Sequence, residues 1–346
     1  MKKIRLGKTD LMVTASSFGA LPIQRVDMEQ AKTILRAAYD GGINYFDTAN
    51  AYSDSEEKIG YALSDVRHDI IISTKSGAKD KATLLKHIEL SLKRMKTDYI
   101  DILQLHNPGV LPDVNDPDSL YGGLLEAKKK GYIRHIGITN HSMDRARDAV
   151  LSGAYETLQF PFSSLASEKE VELVNLCKKQ DVGFIAMKGL AGGLITDAST
   201  TFTYIKQFDN VVPIWGIQRM SELEEFLQLE KNPPAYDEAM KQKISADRQQ
   251  LLGDFCRGCG YCQPCPAGID IANMARMSLL LRRSPSAGWL TPENQAQMLK
   301  INNCIDCKAC MSRCPYGLNT PALLKENLRD YLEFAKAEGI VVDGQL

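Results

Sequence analysis

The chain has 346 residues, of which 44% are hydrophobic and 25% are charged, and its formal net charge is −1. This length suits one large domain with a sizeable core plus a small one, and the charge balance does not indicate nucleic acid as a partner. The sequence has no ~20-residue apolar run of a membrane span, and its start lacks the apolar core of a signal peptide. We therefore expect a cytoplasmic protein that binds neither nucleic acid nor a membrane.

Short β-branched runs alternate with segments of helical spacing through the first two thirds of the chain. Eight strands that alternate with helices favour parallel strands joined by right-handed crossovers, and eight such strands close a barrel. The predicted fold class is therefore α/β, a (β/α)8 TIM barrel. A doubly wound open sheet is the alternative, which fits less well because no G-x-G-x-x-G follows the first strand. The predicted strands are 13–18, 44–47, 70–74, 100–105, 135–139, 157–160, 183–187 and 211–215. The helical segments between them include 29–40, 81–95, 120–130 and 168–180.

Polar side chains follow three successive predicted strands. Asp47 ends the second strand and Tyr52 lies just beyond it, Lys75 follows the third strand, and His106 follows the fourth. Barrel enzymes collect their functional residues at the carboxyl ends of the strands. We therefore expect these four side chains to converge at one mouth of the barrel.

The order and spacing of these four residues resemble the catalytic tetrad of the aldo-keto reductases. The likeness covers the predicted barrel and extends to residues 131–140, which are close to that family's fifth-strand motif. The resemblance implies that Tyr52 donates a proton to a carbonyl that receives hydride. Lys75, held by Asp47, would stabilise the tyrosinate and lower the pKa of Tyr52. His106 would hydrogen-bond the carbonyl oxygen and orient the substrate.

The same resemblance implies contacts with a nicotinamide cofactor. Asn140 and Gln159 would hold the carboxamide of the nicotinamide. Met187 stands where that family usually has an aromatic residue that stacks on the ring. The adjacent Lys188 is interpreted either as a cation for an anionic substrate or phosphate or as a solvated lysine. His141, next to Asn140, is interpreted either as a residue at the edge of the site or as a solvated loop histidine, and the second interpretation is favoured.

The end of the last predicted strand departs from the family pattern. Many family members place Lys-Ser directly after a proline to bind the 2′-phosphate of NADP, whereas Pro213 is followed here by Ile-Trp. Gly216, Gln218 and Arg219 come next and are the candidate cofactor contacts. Because Arg219 can supply the missing positive charge, we expect NADP(H), with NAD(H) as the alternative.

A change in composition marks the predicted domain boundary. Eight of the nine cysteines fall between Cys256 and Cys314, and the ninth, Cys177, is predicted to be a buried helix residue. The preceding Lys-Asn-Pro-Pro segment is a short stiff linker, and residues 236–252 have a helical pattern. We therefore expect a barrel at 1–232, a linker and connecting helix at 233–254, and a cysteine-rich domain at 255–346.

The clustered cysteines form two runs, each of which ends in Cys-Pro. The second run has the spacing C-x2-C-x2-C-x3-C of bacterial ferredoxins, and the first is one residue shorter before its last cysteine. In such runs three thiolates hold one cubane and the fourth usually reaches the other, so we predict two [4Fe–4S] clusters; structural zinc is the alternative. The first cluster is assigned to Cys256, Cys259, Cys262 and Cys314. The second cluster is assigned to Cys304, Cys307, Cys310 and Cys265.

Helical segments at 269–283 and 292–302 separate the two runs, so the module resembles the α-helical ferredoxin domains of succinate-dehydrogenase-like subunits. The whole chain resembles the ferredoxin-fused branch of the aldo-keto reductases. It is therefore predicted to be an NAD(P)H-dependent reductase of a small carbonyl compound, with the clusters as scaffold or as a relay to a redox partner protein. Because hydride carries two electrons and a cluster accepts one, and no flavin motif is evident, a scaffold role is favoured.

An alternative from another class of protein is an electron-transfer or redox-partner protein whose barrel no longer reduces carbonyls. The intact tetrad argues against this alternative. The altered nicotinamide and phosphate positions, Met187 and the segment after Pro213, argue for it. Titration with NADPH and NADH would discriminate between the two.

Overall fold

The computed structural model of the chain describes residues 1–251, 255–283, 286–314 and 316–342. Residues 252–254 of the predicted connecting segment, Pro315 of the second cysteine run and residues 343–346 of the predicted C-terminal domain lie outside the described residues. The chain divides into two compact units. The first comprises Met1–Gly189 and Ser199–Met240, and the second comprises Leu190–Ala198 and Lys241–Leu346.

The first unit opens with an antiparallel hairpin of β1 (Lys3–Arg5) and β2 (Met12–Thr14), followed by the first barrel strand, β3 (Ser17–Gly19). The prediction of a single strand at 13–18 was therefore wrong. The chain changes direction after Thr14, whose carbonyl oxygen accepts a hydrogen bond from Ser17 Oγ at 2.9 Å. A hydroxyl bonded to the nearby backbone favours a turn over continued pairing.

Eight parallel strands form a closed barrel, which confirms the predicted (β/α)8 fold and makes the open-sheet alternative wrong. Each strand pairs with the next in chain order, and the last pairs with β3. All eight strands are parallel, so their carboxyl ends meet at one mouth. The other barrel strands are β4 (Tyr45–Asp47), β5 (Ile71–Ser76), β6 (Ile100–His106), β7 (Ile133–Thr139), β8 (Thr157–Pro161), β9 (Gly183–Met187) and β10 (Val211–Gly216).

Helices follow the barrel strands, and side-chain caps fix where several of them begin. Asp27 accepts a hydrogen bond from Gln30 N and Asp80 accepts one from Thr83 N, so each satisfies an otherwise unpaired amide of the first turn. Cys177 is fully buried in its helix, as predicted. The α-helices are α1 (Met28–Asp40), α2 (Ser55–Leu63), α3 (Lys81–Met95), α4 (Leu120–Lys129), α5 (Met143–Leu151), α6 (Glu168–Lys179), α7 (Ala198–Ile205) and α8 (Met220–Lys231). Two 3-10 helices occupy Pro22–Arg25 and Ser64–Asp69.

The second unit is helical in its described part. The α-helices are α9 (Glu238–Gln250), which starts in the first unit, α10 (Ile271–Met274), α11 (Met277–Arg283), α12 (Pro292–Leu299), α13 (Ala309–Ser312) and α14 (Thr320–Ala337). Two 3-10 helices lie at Ser286–Trp289 and Lys300–Asn303. Among the described residues, no helix combines the length and the apolar character needed to cross a membrane.

The predicted helix at 269–283 is two helices, α10 and α11, because a side chain from α14 binds the backbone at the break. The buried Asn327 donates to Ala275 O at 3.3 Å and accepts from Ser278 N at 2.9 Å. The amide thus pairs backbone groups that a continuous helix would have paired internally.

Candidate functional site

A buried ion pair lies at the ends of β4 and β5. Lys75 Nζ is 2.6 Å from Asp47 Oδ2 and donates a second hydrogen bond to Thr48 O at 2.5 Å. Asp47 is 2% exposed and Lys75 is 1% exposed. Because a buried charge is tolerated when it is paired and hydrogen-bonded, these contacts fix the ammonium in one position.

Two aromatic rings lie beside this pair. Tyr52, in the loop between β4 and α2, is half-buried, and Lys75 Nζ is 5.1 Å from the centroid of its ring. The ring of His106, the last residue of β6, meets the Tyr52 ring edge to face, with centroids 5.9 Å apart and an interplanar angle of 82°. The structure therefore brings Asp47, Tyr52, Lys75 and His106 together.

Burial and nearby charges set the protonation of these groups. Burial and the Asp47 carboxylate raise the pKa of Tyr52, so the phenol is protonated at neutral pH. The expected lowering of this pKa is absent, because burial has the largest effect and the Asp47 charge adds to it. Burial lowers the pKa of Lys75, and Asp47 opposes this effect. Burial, followed by the charges of Lys75 and Lys79, lowers the pKa of His106 to about 3, so its imidazole is neutral.

Three further side chains hold the Asp47 carboxylate. Ser73 Oγ donates to Oδ1 at 2.6 Å, Gln104 Nε2 donates to Oδ1 at 3.2 Å, and Gln159 Nε2 donates to Oδ2 at 3.4 Å. Gln104 Nε2 also donates to Gln159 Oε1 at 2.9 Å, whereas Gln104 Oε1 is buried without a partner among the described groups.

Sequence reasoning missed Ser73 and Gln104, although the strand period could have found them. Ser73 lies two residues before Lys75, and Gln104 lies two residues before His106. Residues two apart on a strand share a face, so a polar residue at that spacing is expected to point towards the same site.

The residues predicted to hold the carboxamide are both buried. The side chain of Asn140 donates to Pro108 O at 3.2 Å and accepts from Ser142 N at 2.8 Å. Its backbone N–H donates to Gln159 O at 3.1 Å, so Asn140, directly after β7, lies beside Gln159 in the middle of β8. His141 is 3% exposed, so the prediction of a solvated histidine was wrong. Its backbone N–H donates a hydrogen bond to Asn107 Oδ1 at 3.2 Å.

Met187 ends β9 and packs in part against the apolar core of the first unit. Lys188, which follows it, is half-buried and has a positive φ of 58°. The next residue is Gly189, where an added Cβ would lie 2.4 Å from the ring of the buried Trp215. A glycine is therefore required where the chain leaves this strand.

After the end of β10, the Glu222 carboxylate accepts hydrogen bonds from two backbone amides of the segment predicted to contact the cofactor phosphate. It accepts from Gln218 N at 2.8 Å and from Arg219 N at 3.1 Å, at the start of α8. The Arg219 side chain is 71% exposed and lies 3.9 Å from Glu222. Arg25 Nη1 donates to Gln218 Oε1 at 3.5 Å. Gly216 is exposed. Sequence reasoning missed Arg25 and Glu222, because both contacts depend on loop geometry.

The cysteines of the second unit line two cavities. None of the eight is in a disulfide. The first cavity is lined by Cys256, Cys259, Cys262 and Cys314. The second cavity is lined by Cys265, Cys304, Cys307 and Cys310, together with Cys262. The two sets are those assigned from the sequence, with Cys262 facing both cavities.

The donor set fits a multi-iron centre. Within the described ranges, no three His, Cys, Asp or Glu side chains come close enough to hold one metal ion. Four thiols spread around a cavity are nevertheless the arrangement that a [4Fe–4S] cluster takes, because each of its irons binds a different thiolate.

Two side-chain contacts join the two cysteine runs. Arg257 of the first run lies over the ring of Tyr316, which follows the second run, at 4.4 Å from the centroid. Arg313 of the second run donates to Pro264 O of the first run at 3.3 Å. These two contacts bring the end of the second run to the start and to the end of the first run.

Comparison with known proteins agrees with the geometry of both units. The aldo/keto reductase family pattern matches residues 14–235, and the 4Fe-4S dicluster domain pattern matches residues 255–319. The uncharacterized oxidoreductase YqkF of Bacillus subtilis is 31% identical over 57% of this chain and 67% of its own. A probable voltage-gated potassium channel subunit beta of Arabidopsis thaliana is 31% identical over 57% of this chain and 66% of its own. The matched segments thus cover about two thirds of these relatives.

The holo form of an aldo-keto reductase from Bacillus halodurans has the same fold as the barrel. It superposes with a TM-score of 0.63 and is 24% identical, over 71% of this chain and 96% of its own. At that identity the likeness establishes the fold alone.

Proposed function

We propose, because the chain belongs to the aldo/keto reductase family and carries a 4Fe–4S dicluster domain, that this oxidoreductase reduces a small carbonyl compound with NAD(P)H. One observation carries the proposal: the buried Lys75–Asp47 pair lies beside the rings of Tyr52 and His106. A carbonyl that accepts hydride must also receive a proton. The four side chains offer a proton donor, a fixed cation and a neutral imidazole in one place.

In this proposal Tyr52 is the proton donor. Its raised pKa keeps the phenol protonated, and the hydroxyl gives up its proton as an alkoxide, which is the stronger base, develops on the substrate. The Lys75 ammonium offsets the charge left on the phenolate oxygen. The neutral His106 donates a ring N–H to the substrate oxygen and orients it. The nicotinamide supplies the hydride when it is bound.

The proposed cofactor residues lie on β8 and at or just after the ends of β7, β9 and β10. Asn140 and Gln159 hold the carboxamide, and Met187 packs against the nicotinamide ring. An added Cβ at Gly216 would come within 3.1 Å of Pro22, so the glycine lets Pro22 pack close to the strand end. Gly216, Gln218 and Arg219 are proposed to contact the rest of the cofactor.

We propose NADP(H) as the cofactor, with Arg219 as the contact to the 2′-phosphate. The exposed guanidinium can turn towards a phosphate, whereas the nearby Glu222 carboxylate repels one. NAD(H) is the alternative, and Glu222 is the observation that favours it. Direct titration with NADPH and NADH distinguishes the two.

The eight cysteines of the second unit are proposed to hold two [4Fe–4S] clusters. The first uses Cys256, Cys259, Cys262 and Cys314, and the second uses Cys304, Cys307, Cys310 and Cys265. Two thiol-lined cavities support this assignment. A cysteine-ligated cluster requires reduced thiols, which supports a cytoplasmic protein. The proposed functional domains remain the barrel at 1–232, the connecting segment at 233–254 and the ferredoxin-like domain at 255–346.

The test is turnover of a panel of aldehydes and ketones by the anaerobically purified full-length protein, with NADPH and NADH compared by fluorescence titration. We expect saturable nicotinamide binding and carbonyl-dependent oxidation of the cofactor. If neither nicotinamide binds, the alternative of an electron-transfer or redox-partner protein is the better account. The similarity to a channel subunit supports testing that alternative.

A further inference from the structure

Arg276, between α10 and α11, has its guanidinium held between two glycines of the second unit. Nη1 donates to Gly192 O at 2.6 Å, and Nη2 donates to Asn273 Oδ1 at 3.2 Å. A Cβ added at Gly258 would lie 2.9 Å from the guanidinium carbon, and one added at Gly192 would lie 2.7 Å from Nη1. Both glycines have a positive φ, of 62° and 70°. A side chain at either position would therefore displace the guanidinium.

Gly258 lies between two of the thiols that line the first cavity. It is flanked by Cys256 and Cys259, and its N–H donates to Cys256 Sγ at 3.4 Å. The guanidinium of Arg276 lies against the backbone of this loop at Gly258, and Arg276 is not among the residues that line the cavity. The packing and hydrogen bonds therefore hold a half-buried cation close to the first cavity.

The loop beside the second cavity is more open to solvent. Ile305 is 69% exposed, and Cys307 and Lys308 are exposed as well. Arg313, whose guanidinium bonds Pro264 of this cavity's lining, is also exposed. Water screens charges at such positions, so a cation there has a weaker effect than a half-buried one.

We propose that Arg276 raises the reduction potential of the first cluster above that of the second, so that an electron entering the module comes to rest on the first. The inference depends on the proposal that the eight cysteines hold two clusters. Reduction adds one electron, and hence one negative charge, to a cluster; no bond forms or breaks. A nearby cation stabilises the reduced state, and cluster potentials depend on charge, hydrogen bonds and exposure.

The test is a redox titration of the full-length holoprotein with dithionite, followed by EPR spectroscopy, with Cys307→Ser used to identify the signal of the second cluster. In the wild type we expect the first cluster to be reduced at the higher potential. In Arg276→Gln we expect the ratio of reduced to oxidised first cluster at fixed potential to fall on the order of tenfold, ~59 mV for one electron. Arg276→Lys, which keeps the charge, should restore most of the potential.

Two further variants make the result specific. Arg282→Gln removes an exposed arginine of α11 that pairs with Asp330 at 2.7 Å, and should leave both potentials unchanged. Asn273→Asp places a carboxylate beside the Arg276 guanidinium without removing it, and should lower the first potential even if Arg276→Gln does not assemble.

If the reduction potentials are unchanged in both Arg276→Gln and Asn273→Asp while both clusters are present, the proposal that Arg276 raises the potential of the first cluster is overturned. A wild type in which the second cluster is reduced first would also overturn it. A wild-type protein without iron and acid-labile sulfide would overturn the cluster proposal together with this inference.

Discussion

Gln159 Nε2 donates to Asp47 Oδ2 at 3.4 Å, so the proposed carboxamide contact touches the carboxylate that holds Lys75. Gln104 donates to both residues and so connects them along a second path. The residues proposed for the cofactor and those proposed for proton transfer therefore form one buried hydrogen-bond network. A substitution at one position is expected to alter the hydrogen bonds of the others.

Tyr52→Phe should lower kcat by at least ~10²-fold while the dissociation constant for NADPH stays nearly unchanged, because the lost hydroxyl acts in the transition state. Single-turnover reduction and fluorescence titration measure the two quantities. Tyr61→Phe, at an exposed tyrosine of α2, is the matched control. Normal turnover by Tyr52→Phe would remove the proposed proton donor.

Asp47→Asn should move the alkaline limit of activity to lower pH. Burial raises the pKa of Tyr52 most, and the Asp47 charge raises it further, so loss of that charge lets the phenol ionise at lower pH. Activity requires the protonated phenol and is lost as pH rises through this pKa. The pH dependence of kcat/KM checks the shift, and a limit that moves upward would contradict it.

Glu222→Gln should raise the preference for NADPH over NADH, on the order of tenfold, because an amide keeps hydrogen-bonding capacity at the backbone but removes a charge that repels phosphate. The dissociation constants of the two cofactors provide the measurement. Glu224→Gln, at an exposed glutamate two residues later, should leave the ratio unchanged. An equal effect of both substitutions would indicate bulk charge instead of a local contact.

Glu156 should make stability depend on pH in the acid range. Although burial raises its pKa, hydrogen bonds from His135, Lys128 and Ile136 N lower it to about 2. The stabilisation is complete above the usual glutamate pKa and is lost as pH falls towards 2. Glu156→Gln should therefore lower the free energy of unfolding by about 2 kcal/mol at neutral pH and by progressively less in acid. Denaturant unfolding at several pH values, with the exposed Glu172→Gln as control, measures the difference.

Cys314→Ser should damage the cluster held by the first cysteine run, and Cys265→Ser should damage the one held by the second, because each last ligand lines the other run's cavity. Iron and sulfide content and EPR spectra of anaerobically purified protein provide the measurement, with four irons per cluster. Cys177→Ala should retain both clusters. Loss of the second cluster in Cys314→Ser would contradict the exchanged ligation.

The sequence pattern predicted the bounds of an element correctly where one physical effect determines them. The bounds of β9 and α3 match the predicted segments 183–187 and 81–95, because apolar periodicity and caps determine them. Residues 13–18 could not be divided by periodicity, since the break depends on a side chain bonding the backbone. Likewise, nothing in the spacing of Arg276 indicates Gly192 or Gly258, because those contacts form only in the folded chain.

The segment Leu190–Ala198, which follows β9 and ends at the first residue of α7, belongs to the second unit, although the chain on both sides of it belongs to the first. The backbone therefore passes from one unit to the other after Gly189, after Ala198 and again after Met240. If two domains were joined end to end, the chain would pass between them only once. Either domain could then be replaced at that point by the domain of a homologue. In this chain, a chimaera joined at the proline-rich linker would take the nine residues Leu190–Ala198 from one parent and the rest of the second unit from the other. Chimaeras of related proteins should therefore exchange this segment together with the C-terminal part of the chain.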